Sequence, residues 1–452
     1  MGDKVVPTPN LDALAASGAR FNHAWVAQSS CAPSRGSMFA GMYPHESGQI
    51  GLSHLGYRLD PGVVHFPQLL REAGYHMGVV GTIHTQPEDS FVFDVDKRSF
   101  ILASRDVPAV AAHAQEFLAG RPADRPFFLM VNLFDPHRPY EDSDQINGVP
   151  EHPVRAEDMQ PFPFLAGATS PQVLADMASY YNGVSRLDWC VGSLMKMPEE
   201  HGAADDTVVI FVGDNGPPFT LAKTTCYEAG LHAPLLVKWP GAEGGVVRDE
   251  LVSGVDIFPT VLEATGLAMP EGRLDARSLR PLAQGRDVDW RGALAAEHTT
   301  HSPYDFFPRR AWRGKRWKPI HNLMPGRENP SPAVDGCAAW AAVMDDPALE
   351  GTQARAIYER YVHPPELELH DLEADPHEST NLAGLPEHAA VEKRLRAQLL
   401  AWRERTSDPL LDGAVLADLA ARRDKLREQY LPVRHLARIS HQSLHRASFS
   451  RQ

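Results

Sequence analysis

The chain of 452 residues is 43% hydrophobic and 23% charged, which excludes a disordered chain and allows one large core with a smaller domain beside it. Its formal net charge of -14 argues against a general binder of nucleic acid or anionic membrane, yet leaves room for a local basic pocket. No apolar run approaches the ~20 residues of a membrane span, and MGDKVVPTPN lacks the apolar core of a secretory signal, so the compartment is not legible.

The opening is expected to be a punctuated helix: Thr8 caps it, Pro9 occupies its first turn, Leu11 and Leu14 share a face, and Gly18 stops it. Cys31 then opens a short helix that runs to Gly41. A helix start presents unpaired backbone N–H groups and a positive dipole end, which suit an anion or an anionic reaction centre. Taken alone, a cysteine there is a small buried apolar residue, and only its neighbours give it chemistry.

Three later runs end abruptly in polar residues: 78–81 before His84, 127–134 before Asp135 and His137, and 208–212 before Asp214. Each has the apolar, β-branched or aromatic content of a buried strand in a parallel sheet. Helical patterns at 67–73 and 179–195 lie between them, so the fold class is α/β, a mostly parallel central sheet flanked by helices. Ligands in such sheets sit beyond the carboxyl ends of strands, and the polar residues ending these runs should converge beside Cys31.

After about Gly285 the pattern weakens into a smaller C-terminal α+β domain, giving expected units at 1–285, 286–410 and a basic extension at 411–452. FFPRRAWRGKRWKPIHNL is expected to be one exposed antiparallel strand with its turn rather than a nucleic-acid patch. Residues 386–404 read as a helix whose Val391, Leu395, Leu399 and Trp402 pack on the small domain. The arginines Arg422, Arg423, Arg427, Arg434 and Arg438 suit a solvated helix and tail. Cys31, Cys190, Cys226 and Cys337 are far apart and form no CxxC pair, which argues against a zinc knuckle or a dense disulfide framework and leaves a single bridge open.

The segment CAPSRGSMFAG resembles the signature of the sulfatase family, in which a cysteine with Pro at +2 and Arg at +4 is oxidised to formylglycine before folding. The resemblance continues through PTPNLDALAASGARFNHAW before it and GMYPHESG after it, then VVGTIH, FDPHRPY, VVIFVGDNG and KTTCYEAGLHAPLLVKWPG, to about Asp408. With ELHDLEADPHESTNL, the chain is most similar to the sulfamidases, which cleave N-linked sulfate from glucosamine. This resemblance implies the alkaline-phosphatase-like sulfatase fold and hydrolysis of a sulfate ester or N-sulfate, on a sugar or amino sugar.

Such a reaction needs a nucleophile at sulfur, positive charge on the sulfate oxygens and an acid for the leaving group. By resemblance, a hydroxyl of hydrated formylglycine at Cys31 attacks sulfur and Arg35 holds the hydrate. His137 and Lys223 protonate the leaving group, and His84 deprotonates the second hydroxyl to expel sulfate. Asp214, Asn215 and Cys31 form the metal side, binding a calcium ion that clamps the sulfate oxygens; Thr82, His298 and His301 lie on the substrate side. The implied partners are a sulfated small molecule or saccharide and, during maturation, a formylglycine-generating enzyme, with neither nucleic acid nor membrane. By itself, Asp-Asn-Gly describes no more than a tight turn.

Two departures stand out. Family members carry, ahead of the segment matching 8–12, a strand ending in an Asp-Asp pair that supplies half of the metal ligands. This chain opens after it, Asp3 falls in the loop that follows that pair, and one explanation is that Met1 is an internal methionine. The chain as given is therefore expected to bind calcium weakly. Thr82 stands where the family places a lysine, offering a hydroxyl but no charge. Two other readings stay open: a phosphoester or phosphonate ester hydrolase of the same superfamily, and a catalytically silent sulfatase-like protein that binds sulfated ligands.

Overall fold

The structure, a computed structural model, describes residues 5–98, 105–140, 144–273, 275–303, 305–329 and 338–437, with backbone alone for 429–437. Asp3, Cys337 and Arg438 lie outside those residues, as does the side chain of Arg434. Among the described residues no helix is long and apolar enough to cross a membrane.

Helix α1 (Pro9–Ser17) buries Leu11 and Leu14 as its spacing predicts, but Thr8 makes no side-chain cap. A carboxylate from a distant helix takes that role: Asp188 accepts from the backbone N–H of Leu11 at 2.8 Å and of Asn10 at 3.3 Å. A charged acceptor satisfies two orphan donors and complements the positive end of the helix, which one hydroxyl cannot match.

Nine strands follow in the larger part of the molecule: β1 (Ala19–Phe21), β2 (Ala24–Trp25), β3 (His76–Val80), β4 (Val95–Lys97), β5 (Phe127–Val131), β6 (Val209–Val212), β7 (Leu235–Lys238), β8 (Val246–Arg248) and β9 (Val252–Ser253). They form an all-parallel sheet in the order β4-β3-β5, a mixed sheet in the order β6-β7-β1-β8, and the parallel pair β2-β9. Helices α2 (Cys31–Ala40), α3 (Phe66–Glu72), α4 (Val107–Gly120) and α5 (Pro171–Glu200) flank these sheets. Cys190, on α5, and Cys226 are buried and, like Cys31, free.

The sequence predicts three buried strands of a parallel sheet: β3 fits, β5 is parallel but half-buried, and β6 is half-buried and pairs antiparallel with β7. Every residue of FFLMV and VIFV is half-buried. Successive side chains point to opposite faces, so exposure along the whole strand comes from an open edge rather than from one bare face. Among the described residues β5 pairs only with β3, and β6 only with β7. Both edges share apolar clusters with α5: Leu194 belongs to the same cluster as Leu129 and Val131, and Val191 and Met195 to the same cluster as Val209 and Phe211.

A separate antiparallel sheet completes the fold: β10 (Ala293–His298), β11 (Arg309–Gly314), β12 (Trp317–Asn322) and β13 (Leu367–Asp371), in chain order. Helix α6 (Ala389–Arg405) buries Leu395, Leu399 and Trp402 against it, and α7 (Gly413–Ala437) follows. Each buried leucine there contributes roughly 1.5–3 kcal/mol.

The basic aromatic segment is a two-strand hairpin that is largely buried, not one exposed strand. Its cations find carboxylates inside. Lys318 lies 2.9 Å from Glu228 and 2.7 Å from Glu378, Arg310 forks onto Asp408 at 2.8 and 3.0 Å, and Arg313 stacks on Trp25 beside Glu228. Alternating Arg, Lys and Trp therefore marks a paired interface with the larger part.

These buried pairs set an acid limit. Burial alone would raise the Glu228 carboxyl, but Lys318 and Arg313 bring it down to about 2; burial is likewise outweighed at Glu368, where His370 and Arg360 bring it to about 2. Both lie below the ~4.3 of an unfolded glutamate, so their stabilisation is complete above that value and is lost as pH falls through the folded value. Urea unfolding should give a stability that declines from about pH 4.5 towards pH 2. Lys318→Met should cost about 3–5 kcal/mol and make this decline smaller, because Glu228 then protonates more readily and its folded value moves towards the unfolded one. A variant as stable as the parent would contradict the pairing. In hydrogen exchange, amides of β5 and β6 should exchange faster than those of β3, which has partners on both sides; equal protection would mean that the edges are covered.

Candidate active site

Cys31 is the first residue of α2 and is 4% exposed. Ser30 precedes it in extended conformation and makes no side-chain cap, because its hydroxyl lies 2.8 Å from His301 Nδ1 instead. The helix start is thus held from outside while its donors keep the anion-binding character of an uncapped terminus. Inward packing of Met38 and Phe39 fixes the helix from beneath.

One turn further, Arg35 gathers three strand ends. Its Nε donates to Asp214 at 2.8 Å, and one terminal nitrogen donates to Asn132 Oδ1 at 3.0 Å and to the Thr82 carbonyl at 3.3 Å. Those acceptors follow β6, β5 and β3 respectively, so the carboxyl ends of the strands do converge on this helix. Gly81 permits the approach: its φ is +81°, and a Cβ there would lie 2.0 Å from the Asn132 carbonyl oxygen.

His137 and Lys223 form a second pair, with Nε2 and Nζ 3.2 Å apart. His137 Nδ1 contacts the Arg138 carbonyl, a contact that assigns the ring proton to Nδ1 and leaves Nε2 to accept from the ammonium. The loop of His137 is clamped by buried ion pairs, Asp135 with Arg186 and Arg105, and Arg138 with Asp176. Lys223 is 1% exposed, and the next residue, Thr224, donates its N–H to the Ser29 carbonyl at 2.8 Å, tying the lysine loop to the helix mouth.

His84 sits at φ +54°, in the left-handed region that a non-glycine residue rarely adopts, and its Nε2 lies 3.3 Å from His54 Nδ1. Burial pushes the Cys31 thiol up, yet the Lys223 ammonium and hydrogen bonds with His137 and His84 outweigh it and hold the thiol well below its ordinary value. Burial likewise opposes charge on Asp214, and Arg35, Lys223 and His137 overcome it to keep the carboxyl below the usual range. The pocket stabilises negative charge at position 31.

Cys31, Arg35, His84, His137, Lys223 and Asp214 are therefore brought together. Thr82 joins through its backbone carbonyl rather than its hydroxyl, and His301 joins through Ser30. His298 does not: it ends β10, buried beside Arg309 and His301, where burial and then those charges push its imidazole well down. Sequence reasoning passed over Ser30, Asn132 and His54. Asn132 had a signal, a polar residue directly after a strand, hidden by reading the run through to Phe134.

Asn215 fits a hard cation on its own evidence. Its Oδ1 is buried without a hydrogen-bond partner while its Nδ2 donates to the Gly216 carbonyl at 2.7 Å, so a bare amide oxygen stands beside the Asp214 carboxylate. Among the described residues no group of three or more His, Cys, Asp or Glu is placed to hold a metal ion, so these two oxygens are a donor set of the right kind but small.

The family model described as Sulfatase matches residues 1–267, and that described as N-sulphoglucosamine sulphohydrolase, C-terminal, matches residues 220–326. The chain is 30% identical to human N-sulphoglucosamine sulphohydrolase over 90% of this chain and 87% of that protein. It is 27% identical to an ulvan-active sulfatase of Formosa agariphila over 92% of this chain and 78% of that one. Two solved structures share the fold. One is described as a complex with its substrate D-glucosamine-2-N,6-O-disulfate (TM-score 0.63, 19% identity, 90% of this chain and 94% of that one); the other is a phosphonate monoester hydrolase of Agrobacterium radiobacter (0.66, 20%, 90% and 92%). The two matched regions and the full-length human relative leave one conclusion: the chain belongs to the sulfatase family of sulfuric ester hydrolases.

Proposed function

We propose that this protein hydrolyses a sulfate ester or N-sulfate carried by a sugar or amino sugar, with position 31 as the nucleophilic centre and a calcium ion held by Asp214 and Asn215. The observation that carries the reading is the placement of Cys31 at an anion-favouring helix mouth between the Arg35–Asp214 and His137–Lys223 pairs. The sulfated-sugar substrate class rests on the relatives named above. The nucleophilic oxygen would come from formylglycine made at Cys31, and calcium would supply charge against the sulfate oxygens.

The remaining chemistry belongs to the chain's own side chains. Arg35, held on three acceptors, fixes the position of the reacting residue. The departing oxygen or nitrogen takes a proton from the His137–Lys223 pair, and the shared hydrogen bond lets one member replace the proton that the other loses. His84 accepts the proton released at position 31 as sulfate departs and returns it to solvent, and uptake of one water at position 31 would restore the starting hydrate, so that the products are alcohol or amine and free sulfate. Lys223, buried and close to position 31, supplies fixed positive charge where the family's usual lysine is replaced by Thr82.

Peptide mass analysis after co-expression with a formylglycine-generating enzyme should find Cys31 converted, and an unmodified thiol in every preparation would end this reading. With converted protein, His137→Ala and Lys223→Ala should each slow hydrolysis of a sugar sulfate by about a hundredfold or more, and of an activated aryl sulfate much less, because a good leaving group needs little proton assistance. Faster hydrolysis of matched phosphate or phosphonate esters would instead favour that branch of the superfamily. Binding of sulfated sugars without turnover by converted protein would favour a silent binder.

A further inference from the structure

His54 lies outside the set of residues to which a role has been given so far. It occupies a single tight turn, Ser53–Leu55, on the exposed rim of the site. That turn is well anchored: Leu52 donates its N–H to the His301 carbonyl at 3.0 Å, and the Gln49 amide spans the loop, donating to the Gly51 and Tyr57 carbonyls at 2.8 and 3.0 Å. An anchored turn can hold a side chain in one place.

What it holds is His84. The two rings lie 16° from parallel with centroids 5.5 Å apart, and His54 Nδ1 is 3.3 Å from His84 Nε2. His84 has need of such a hold, because its backbone is in the left-handed region and a half-buried imidazole can rotate or exchange tautomers unless a partner fixes it. The near-parallel planes and the short contact between ring nitrogens place the two imidazoles edge to edge, the arrangement of an N–H···N hydrogen bond. Partial burial, then the neighbouring His84 and His301, push the His54 imidazole down to about 4, so it is neutral near pH 7 and offers a lone pair.

We propose that His54 is a positioning residue for His84: it accepts the Nε2–H hydrogen bond of His84 edge to edge, in nearly the same plane, which fixes the ring plane and leaves Nδ1 as the basic nitrogen. A neutral imidazole carries one N–H, so assigning that proton to Nε2 determines where the base is. The inference rests on the proposed role of His84 as the base at position 31. His54 itself acts only through His84.

The test uses converted full-length protein as the parent, His54→Ala and His54→Asn, whose short amide can place an acceptor where Nδ1 stood. His54→Ala should lower kcat by about 10–100-fold with KM changed less than about twofold, and shift the pH profile of kcat. It should also leave a rapid release of one equivalent of leaving group followed by slower turnover, because proton removal by His84 comes after leaving-group departure. His54→Asn should recover most of the loss. Imidazole 15N shifts of His84 should report the Nε2–H tautomer in the parent and a mixture in His54→Ala. An unchanged kcat, a rise in KM alone, or an Asn variant as poor as the Ala variant would overturn the positioning role. Should the parent hydrolyse no sulfate, the proposed function fails separately, while the 15N shifts still decide whether His54 fixes His84.

Discussion

The guanidinium of Arg35 is the point on which the site depends. One side chain, presented by the first turns of α2, donates to a carboxylate after β6, an amide after β5 and a carbonyl after β3. Among the described residues, two of these strands belong to a sheet that makes no ladder with the sheet of the third. The registry between the sheets at their functional ends therefore runs through Arg35 and through α5 beneath. A lysine could not replace it, since a point charge cannot reach three acceptors in different directions from one rigid plane.

That arrangement has an electrostatic cost. The strand ends collect carbonyls and a carboxylate, which by themselves repel an incoming sulfate, and Arg35 is largely engaged in neutralising Asp214. The attraction felt at position 31 must come from elsewhere. Lys223 is its main source, with His137 and His84 adding hydrogen bonds. Burial strengthens these effects, because a charge of 1% exposure acts through a low dielectric. An acidic protein with a net charge of -14 can thus keep a local pocket for an anion.

Legibility in the sequence followed from how local each signal was. The α2 start at Cys31, the three strands and the polar residues that end them depend on short-range pattern, and they stand within a few residues of where the chain suggests. Asp188 capping α1 was not legible, because a cap contributed from more than 170 positions away leaves no trace beside Thr8. The hairpin of β11 and β12 misled for a related reason: its Arg and Lys are surface residues by composition, and only the distant Glu228, Glu378 and Asp408 turn them inward. His54 carried no signal at all, since its meaning lies in a ring 30 residues away.

Thr82 ties these points together. A lysine at that position would bring a second full charge next to Arg35, whereas the threonine side chain brings none; the backbone carbonyl that accepts from Arg35 does not depend on which side chain stands there. The change removes a potential anion contact and leaves the anchor of the guanidinium as it was. It also places weight on the histidines that remain near position 31, which must be oriented rather than simply charged to be useful. A strained backbone at His84 and a neutral ring hydrogen-bonded at its edge belong to such a site, in which geometry carries what charge alone does not.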